Sequence, residues 1–475
     1  MSESAQSSSS EMDSMLNELY PYRDTTTTYS QIPAQGLKAE EVLEMVRSFA
    51  KCEDAVGDQG KVSGSLYSGD HDHYHVLTQV FEEFAHANVL QRDMYPSATK
   101  FESEIIAMTL NMLHGTGPES DACGVITSGG SESLITALYT YREQASRERG
   151  VTKPNVVIPT TAHVALDKGA HWLGIEVRHA PLTDAFVVDL AAMDALIDEN
   201  TIALVGSAGN YAHGLIDPIT EIGQLAIKHG IGLHVDGCLG GFLLPWIEAN
   251  GVEVTPWDFR VPGVTSISAD THKYGYALKG TSTLSYKTKS LRANQYFTFP
   301  DWPGGLYLSP GFAGSRSGGL IASTWASLVL MGQEGYKGAA KDIYTATQTI
   351  VEGIRKDIPE IQVVGDPLFL LAFTSSELDV YLINDALKER GWRMNALQLP
   401  AGLHFCLTRP NTKDNVVEQY LNDLKESVAY AKEKKGEAAR SGAMYGFSGT
   451  PKGNATLSFV MSGYLDAMHE LAPTE

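Results

Sequence analysis

Apolar residues along this chain fall into two kinds of run. From residue 37, in GLKAEEVLEMVRSFAK, they recur every three or four positions. TKFESEIIAMTLNMLHG around 99–115 repeats that spacing and ends on a glycine, so both stretches predict helices. After residue 120 the texture changes. CGVITSGGSESLITALYTYREQA, NVVIPTTAHVALDKGAHWLG, TIALVGSAGNYAHGLIDPITEIGQLAIKHG and IGLHVDGCLGGF each open on a short apolar run, and the first three go on through a polar turn into an amphipathic stretch. Strand, turn and helix alternating in this way predict an α/β layer with a mostly parallel sheet. In such sheets ligands gather at the carboxyl ends of the strands. That rule singles out Ser128 to Ser131, His163, Ser207 to Tyr211, Asp236 and Lys273. Near residue 336 the pattern shifts again. GYKGAAKDIYTATQTIVEGIRKDI predicts a long amphipathic helix, and IQVVGDPLFLLAFTSS, RMNALQLPAGLHFCLT and NVVEQYLNDLKESVAYAKEKK predict a small α+β lobe.

The divisions that follow are a disordered tail at 1–15, an N-terminal segment at 16–95, a large α/β domain at 96–335, a small C-terminal domain at 336–450 and an extension at 451–475. The tail, Ser-rich and acidic, cannot bury enough apolar area to offset ordering. No internal repeat is present. Composition narrows the function classes. A formal charge of −21 on 475 residues argues against a general affinity for nucleic acid or anionic membranes, since phosphate neutralisation needs clustered Lys and Arg. An anionic ligand must therefore be held by a local pocket. Cys52, Cys123, Cys238 and Cys406 are widely spaced with no CxxC pair, which suggests neither a disulfide framework nor a zinc knuckle. With no basic leader and no run of ~20 apolar residues, the chain reads as soluble and cytoplasmic.

Four motifs carry chemistry. TSGGSES follows a strand and precedes a helix. Its glycines let backbone approach an anion while the first N–H groups of the helix point at it, although a lone Gly-Gly pair also fits an ordinary capped turn. Asp236, ending a strand in HVDGCLGGF, could pair with a protonated ring nitrogen. His163, at a strand-to-helix junction, could stack on a flat cofactor ring or simply cap a helix. In ISADTHKYGYALKG (267–280) two lysines lie six residues apart. Lys273 follows a strand beside His272. Desolvation there should lower its pKa and favour attack on an aldehyde as the neutral amine, which makes it the Schiff-base residue. Lys279, beyond Gly275 in freer surroundings, should stay charged and either suit an anionic substrate group or sit on a solvated surface. The histidines of HDHYH, His71, His73 and His75, read as a polar loop or helix start and not as a metal site.

Phosphate cradle, ring stacker, ring-nitrogen carboxylate and strand-end lysine occur here in the order used by pyridoxal-phosphate enzymes of the aspartate aminotransferase fold type I. TSGGSES, the AH at 162, HVDGCLGGF, SISADTHKYGYALKG, DWPGGLYLSPGFAGSR and GSRSGG together resemble the sphingosine-1-phosphate lyases, within the pyridoxal-phosphate group II decarboxylases, over residues 37 to 450. The resemblance implies that fold: a large cofactor domain with a mostly parallel sheet, and a small C-terminal α+β domain. It implies pyridoxal 5'-phosphate as cofactor, bound to Lys273, with Asp236 on the ring nitrogen, His163 against the ring, and Gly129, Gly130, Ser131 and His272 around the phosphate. It also implies a homodimer with interfacial sites, the loop around Gly311 reaching the neighbouring one. Tyr67, Asn88, Gln91, Lys279 and Ser315 fall at substrate-phosphate positions, and Tyr211 at a further active-site position. The similarity is to soluble bacterial-type members, without the membrane-spanning segment of eukaryotic ones.

The implied reaction is retro-aldol cleavage of a phosphorylated long-chain base to a long-chain aldehyde and phosphoethanolamine, with Lys273, Tyr211 or the substrate phosphate as proton acceptor. Two departures stand out. NVLQRD at 88–93 replaces the family's usual NPLHPD, so Gln91 stands for a histidine and loses a charge-assisted contact unless Arg92 turns inward. GSAGNYAHG replaces a common STP before an aromatic. One rival is an amino acid decarboxylase on the same scaffold, which needs a cationic anchor for its substrate acid. A binding protein with a dead cofactor fold is a second.

Overall fold

The computed structural model describes residues 19–22, 25–442 and 451–470, so the tail expected at 1–15 lies outside the described residues. Two compact units result, Gly57–Lys435 and the pair of segments Met1–Val56 and Gly436–Glu475. The larger holds a seven-stranded sheet of β1 (Cys123–Thr127), β2 (Asn155–Pro159), β3 (Glu176–Ala180), β4 (Thr201–Ser207), β5 (Gly232–Asp236), β6 (Ser266–Ala269) and β7 (Ser282–Tyr286), ordered β1-β7-β6-β5-β4-β2-β3. Strands β2 to β6 are parallel, and β7 is antiparallel to both β1 and β6. It follows that β1 runs with β2 to β6. The carboxyl ends of six strands share one edge, and the loops leaving that edge carry the cradle, His163, Tyr211, Asp236 and Lys273.

The apolar pattern explains which strands lie centrally. All residues of β2 and β4 are buried, as unbroken runs such as NVVIP require of parallel strands covered on both faces, whereas the edge strand β3 exposes Glu176 and His179. Helices α1 (His71–Glu83) and α2 (Pro96–Met112) precede the sheet, and α3 (Gly130–Arg149) covers one face with Leu134, Leu138 and Tyr141 in the core. Gly232 is required by that packing, since a Cβ there would lie 2.2 Å from the Tyr141 ring. The HDHYH run is the first turn of α1. Asp70 caps it through His73 N at 3.0 Å, and His73 Nε2 lies 3.1 Å from Tyr276 O.

The hairpin of β8 (Phe297–Phe299) and β9 (Tyr307–Ser309) stands apart from both larger sheets and exposes Phe297, Phe299, Leu306 and Leu308. Helix α4 (Gly318–Asp357) starts well before the helix read from the sequence near 336. Ser317 caps its N-terminus through Leu320 N, and Gly332 (φ 55°, ψ 174°) breaks it, so the segment read from sequence is its second part. A four-stranded antiparallel sheet follows, β10 (Gln362–Val363), β11 (Leu370–Thr374), β12 (Asn395–Leu397) and β13 (Gly402–Cys406), ordered β10-β11-β13-β12 beside helices Val380–Glu389 and Val416–Glu433.

In the smaller unit the Tyr20 hydroxyl donates to Ala467 O at 2.8 Å, and the Tyr22 and Phe49 rings meet at 4.6 Å. Helix Ala39–Gly57 buries no residue and leaves Val42, Leu43 and Val46 exposed. Among the described residues no helix is long and apolar enough to cross a membrane, and no group of His, Cys, Asp or Glu could hold a metal ion. The four cysteines are unpaired.

Candidate active site

β1 delivers the chain to Gly129, whose φ of 156° and lack of a side chain set the backbone against His272; a Cβ would come within 3.2 Å of that ring. Gly130 is tighter, since a Cβ would meet Asp270 Oδ2 at 2.7 Å and Cys238 Sγ at 2.9 Å. The N-terminus of α3 has no side-chain cap, so the N–H groups of its first turn are directed at whatever anion binds there. Glu132 accepts from Ser128 N at 2.7 Å and fixes the loop. Asp236 ends β5, and its Oδ1 accepts from Cys238 N at 3.0 Å.

Lys273 lies on the turn after β6 with its ammonium 2.9 Å from Asp270 Oδ2, and His272 Nε2 is 3.6 Å from the same oxygen. Asp270 Oδ1 and His272 Nδ1 are buried without a hydrogen-bond partner. The expected depression of Lys273 is overturned. Burial pulls the amine down, but the Asp270 carboxylate, helped by Cys238 and Tyr67, carries it above the ordinary lysine range.

Lys279 behaves in the opposite way. Much of the residue is exposed, yet its Nζ donates to Ser65 O at 3.0 Å and His272 O at 3.3 Å, and it stands 4.6 Å over the Tyr67 ring. Desolvation of that crowded amine end, then repulsion from Lys273, lower it to about 8. Its surroundings are not the free ones expected.

Tyr67 is buried edge-on to Tyr274, with ring centroids 5.0 Å apart. Asn88 Nδ2 donates to Ser315 Oγ at 3.0 Å, while Asn88 Oδ1 accepts from Leu90 N and Arg316 N. A cavity of about 160 Å³ lies between Ser315 and the start of the cradle loop, lined by Ser128, Glu132, Gly280, Thr281 and Ser315. Gln91 is exposed at the end of the Asn88 turn. Arg92 does not turn inward. It pairs with Glu102 and donates to Thr99 Oγ1 at 3.1 Å, and Glu102, almost fully buried, also takes Arg316 at 2.7 Å. Gly311 lies against Glu132 of the same chain, where a Cβ would come within 3.2 Å.

His163 Nδ1 accepts from Ala165 N at 3.1 Å, which orients the ring, and the Tyr211 ring meets it edge-on with centroids 6.1 Å apart. The Tyr211 loop is shaped by Asn210, whose Oδ1 accepts from His213 N at 2.7 Å, and by buried Asp217, which accepts from Ser207 N at 2.8 Å. On its other side Tyr211 meets His404 of β13, with centroids 4.8 Å apart. Sequence reasoning missed Asp270 and His404. A carboxylate three residues before a strand-end lysine is a local signal for the first, whereas His404 comes from the distant small sheet.

These residues fit pyridoxal phosphate. The cradle glycines are sterically required, the α3 N-terminus is open to an anion, buried polar atoms of Asp270 and His272 lack partners, and a lysine and a strand-end carboxylate stand at the same sheet edge.

The chain matches the family model for the pyridoxal-dependent decarboxylase conserved domain over residues 31–374. It is 41% identical to sphingosine-1-phosphate lyase 1 of Rattus norvegicus over 445 residues, 93% of this chain and 77% of the relative. A solved structure of the Burkholderia pseudomallei sphingosine-1-phosphate lyase superposes with a TM-score of 0.88 at 43% identity, over 95% of this chain and 99% of that one. Glutamate decarboxylase of Lactobacillus brevis, 18% identical with a TM-score of 0.73 over 89% of this chain and 99% of that one, shares the fold. With the cradle, the strand-end carboxylate and Lys273 gathered at one sheet edge of a pyridoxal-phosphate fold of type I, the chain belongs to the sphingosine-1-phosphate lyase family.

Proposed function

We propose that this protein cleaves phosphorylated long-chain bases, sphingosine 1-phosphate among them, to a long-chain aldehyde and phosphoethanolamine. The observation that carries the reading is the pairing of two unlike lysines close enough to repel each other, Lys273 held by Asp270 and Lys279 over the Tyr67 ring. Pyridoxal phosphate, when bound, supplies the electron sink for breaking the carbon–carbon bond.

The chain's own residues divide the remaining work. Gly129, Gly130 and Ser131 hold the cofactor phosphate through backbone N–H groups, with His272 alongside. Asp236 would pair with the ring nitrogen, His163 would support the ring, and Lys273 would be the attachment point. Lys279, Tyr67, Asn88 and Ser315 hold the substrate phosphate, with Gln91 at the rim as a neutral donor. One of three groups is the acceptor for the hydroxyl proton: Tyr211, oriented between His163 and His404, or Lys273, or the substrate phosphate itself. A decarboxylase has no use for Tyr67, Asn88, Lys279 and Ser315 gathered on a phosphate, and with Arg92 and Arg316 committed to Glu102 its carboxylate would fall to Lys279.

The working unit is a homodimer. A hairpin that exposes Phe297, Phe299, Leu306 and Leu308, continued by Phe312 next to Gly311, is an apolar surface suited to a second copy, and it would bring the Gly311 loop to the neighbouring site. The test of the reaction is incubation of the cofactor-loaded protein with sphingosine 1-phosphate and mass-spectrometric detection of both products in equal amounts. Carbon dioxide from common amino acids, without aldehyde, would replace this reading by the decarboxylase one. Light scattering of the protein in solution tests the dimer; a monomer refutes it.

A further inference from the structure

Beneath the pocket floor, β5 and β6 pair in register, His234 opposite Ser266 and Asp236 opposite Ser268. Because alternate residues of a strand share a face, these four side chains form one row, and they are hydrogen-bonded along it. Tyr141 Oη lies 2.7 Å from Thr265 Oγ1 and 2.6 Å from Ser266 Oγ. Ser266 Oγ lies 2.8 Å from His234 Nδ1, His234 Nε2 lies 3.2 Å from Ser268 Oγ, and Ser268 Oγ lies 3.5 Å from Asp236 Oδ1. Cys238 Sγ also donates to Ser268 Oγ, at 3.3 Å.

Each hydroxyl has one proton to give, and a carboxylate only accepts. For Ser268 to donate to Asp236, it must accept from His234, so Nε2 carries the proton and Nδ1 accepts from Ser266. Ser266 in turn accepts from Tyr141. Thr265 Oγ1 gives its own proton to Leu233 O at 3.1 Å and stays outside the relay, and from Tyr141 onward every donor points toward Asp236. Burial pushes His234 down to about 4, against the pull of Asp236, so the imidazole is neutral as this arrangement requires. The far end of the row, Tyr141 and Thr265, borders a separate cavity of about 240 Å³ that also contains Gly232 and Lys287.

We infer that His234, acting through Ser268, is a positioning residue for Asp236: a one-way hydrogen-bond relay across the sheet fixes the orientation of the carboxylate that meets the cofactor's ring nitrogen. The inference rests on the proposed role of Asp236. None of the relay residues touches the substrate pocket directly, so their effect should be read in the cofactor before it is read in turnover.

The experiment is reconstitution of the full-length apoprotein with pyridoxal phosphate, reading the dissociation constant and the visible absorbance. The variants are Asp236→Asn, Ser268→Ala, His234→Phe and His234→Gln. Ser268→Ala is expected to weaken cofactor binding about tenfold, the scale of one lost hydrogen bond to a charged group. His234→Phe keeps the volume, loses the donor, and should weaken binding several-fold. His234→Gln can donate to Ser268 and accept from Ser266, and should return to within about twofold of wild type. A purely packing role would not separate Phe from Gln in this way.

If Asp236→Asn weakens binding while Ser268→Ala and His234→Phe bind as wild type, the relay is refuted and the role of Asp236 stands. If Asp236→Asn changes nothing, the role of Asp236 falls and takes the relay with it. Nitrogen-15 NMR of the wild-type His234 ring is independent of whether a variant folds. An Nε2–H tautomer supports the relay, and an Nδ1–H tautomer overturns its direction.

Discussion

Replacing Asp270 by Asn isolates what the structure assigns to that carboxylate, namely keeping the proton on Lys273. The ammonium lies 2.9 Å from Asp270 Oδ2 on a side chain that is mostly buried. At an effective dielectric constant of about 20, one ion pair at that distance is worth about 6 kcal/mol. Asn retains an acceptor and returns about 1 kcal/mol of hydrogen bonding. The net loss, about 5 kcal/mol, is between three and four powers of ten in the lysine's protonation equilibrium, with only Cys238 and Tyr67 left to oppose burial. Capture of pyridoxal phosphate requires the neutral amine.

In stopped-flow mixing of apoprotein with pyridoxal phosphate between pH 6.5 and 9.5, wild type should therefore speed up close to tenfold per pH unit. Asp270→Asn should be at least tenfold faster at every pH in that range, because a larger fraction of its lysine is neutral. Circular dichroism checks that the variant is folded. Identical rates in the two proteins would show that Asp270 does not hold that proton, and the account of Lys273 would fail.

Lys273→Ala should abolish the visible cofactor band and turnover, whereas Lys279→Ala should keep the band and raise KM for phosphorylated substrates about tenfold or more; a lost band in Lys279→Ala would reverse the two roles. With Lys279 lowered to about 8, its cationic fraction falls as pH rises through that value. Wild-type KM for a phosphorylated base should accordingly rise above pH 8, and Lys279→Arg should remove that rise in steady-state kinetics. His234 and His404 are buried and lowered to about 4, with burial the leading cause. The unfolded chain binds more protons between pH 6.5 and 4, so stability falls as pH drops through that window, by up to about 3 kcal/mol for each group; urea titrations at pH 7 and pH 5 check this, and equal midpoints would refute it. Glu102→Gln leaves Arg92 and Arg316 without their shared carboxylate and should cost about 3 kcal/mol, seen as a lower Tm.

Much of this protein was legible in the sequence because its chemistry is local to strand ends. Alternation of period two and period 3.6 predicts the α/β layer, and the stops of β1, β2, β4, β5 and β6 place the glycine cradle, His163, Tyr211, Asp236 and Lys273 on one edge. The family resemblance rested on those same short motifs. Even the row His234, Asp236, Ser266, Ser268 is written as two pairs of alternate positions. What the chain alone could not decide was who neighbours whom across it. The spacing of Lys273 and Lys279 does not reveal which amine a carboxylate will hold and which will be crowded by carbonyls and Tyr67, so Lys273 shifts opposite to expectation and Lys279 is lowered where no shift was expected. Nor could it show that Arg92 turns to Glu102, or that His404 of the small sheet reaches Tyr211. Those are matters of distance between segments far apart in the chain. Electrostatic and ring contacts of this kind fall off over a few ångströms, so only the folded packing determines them.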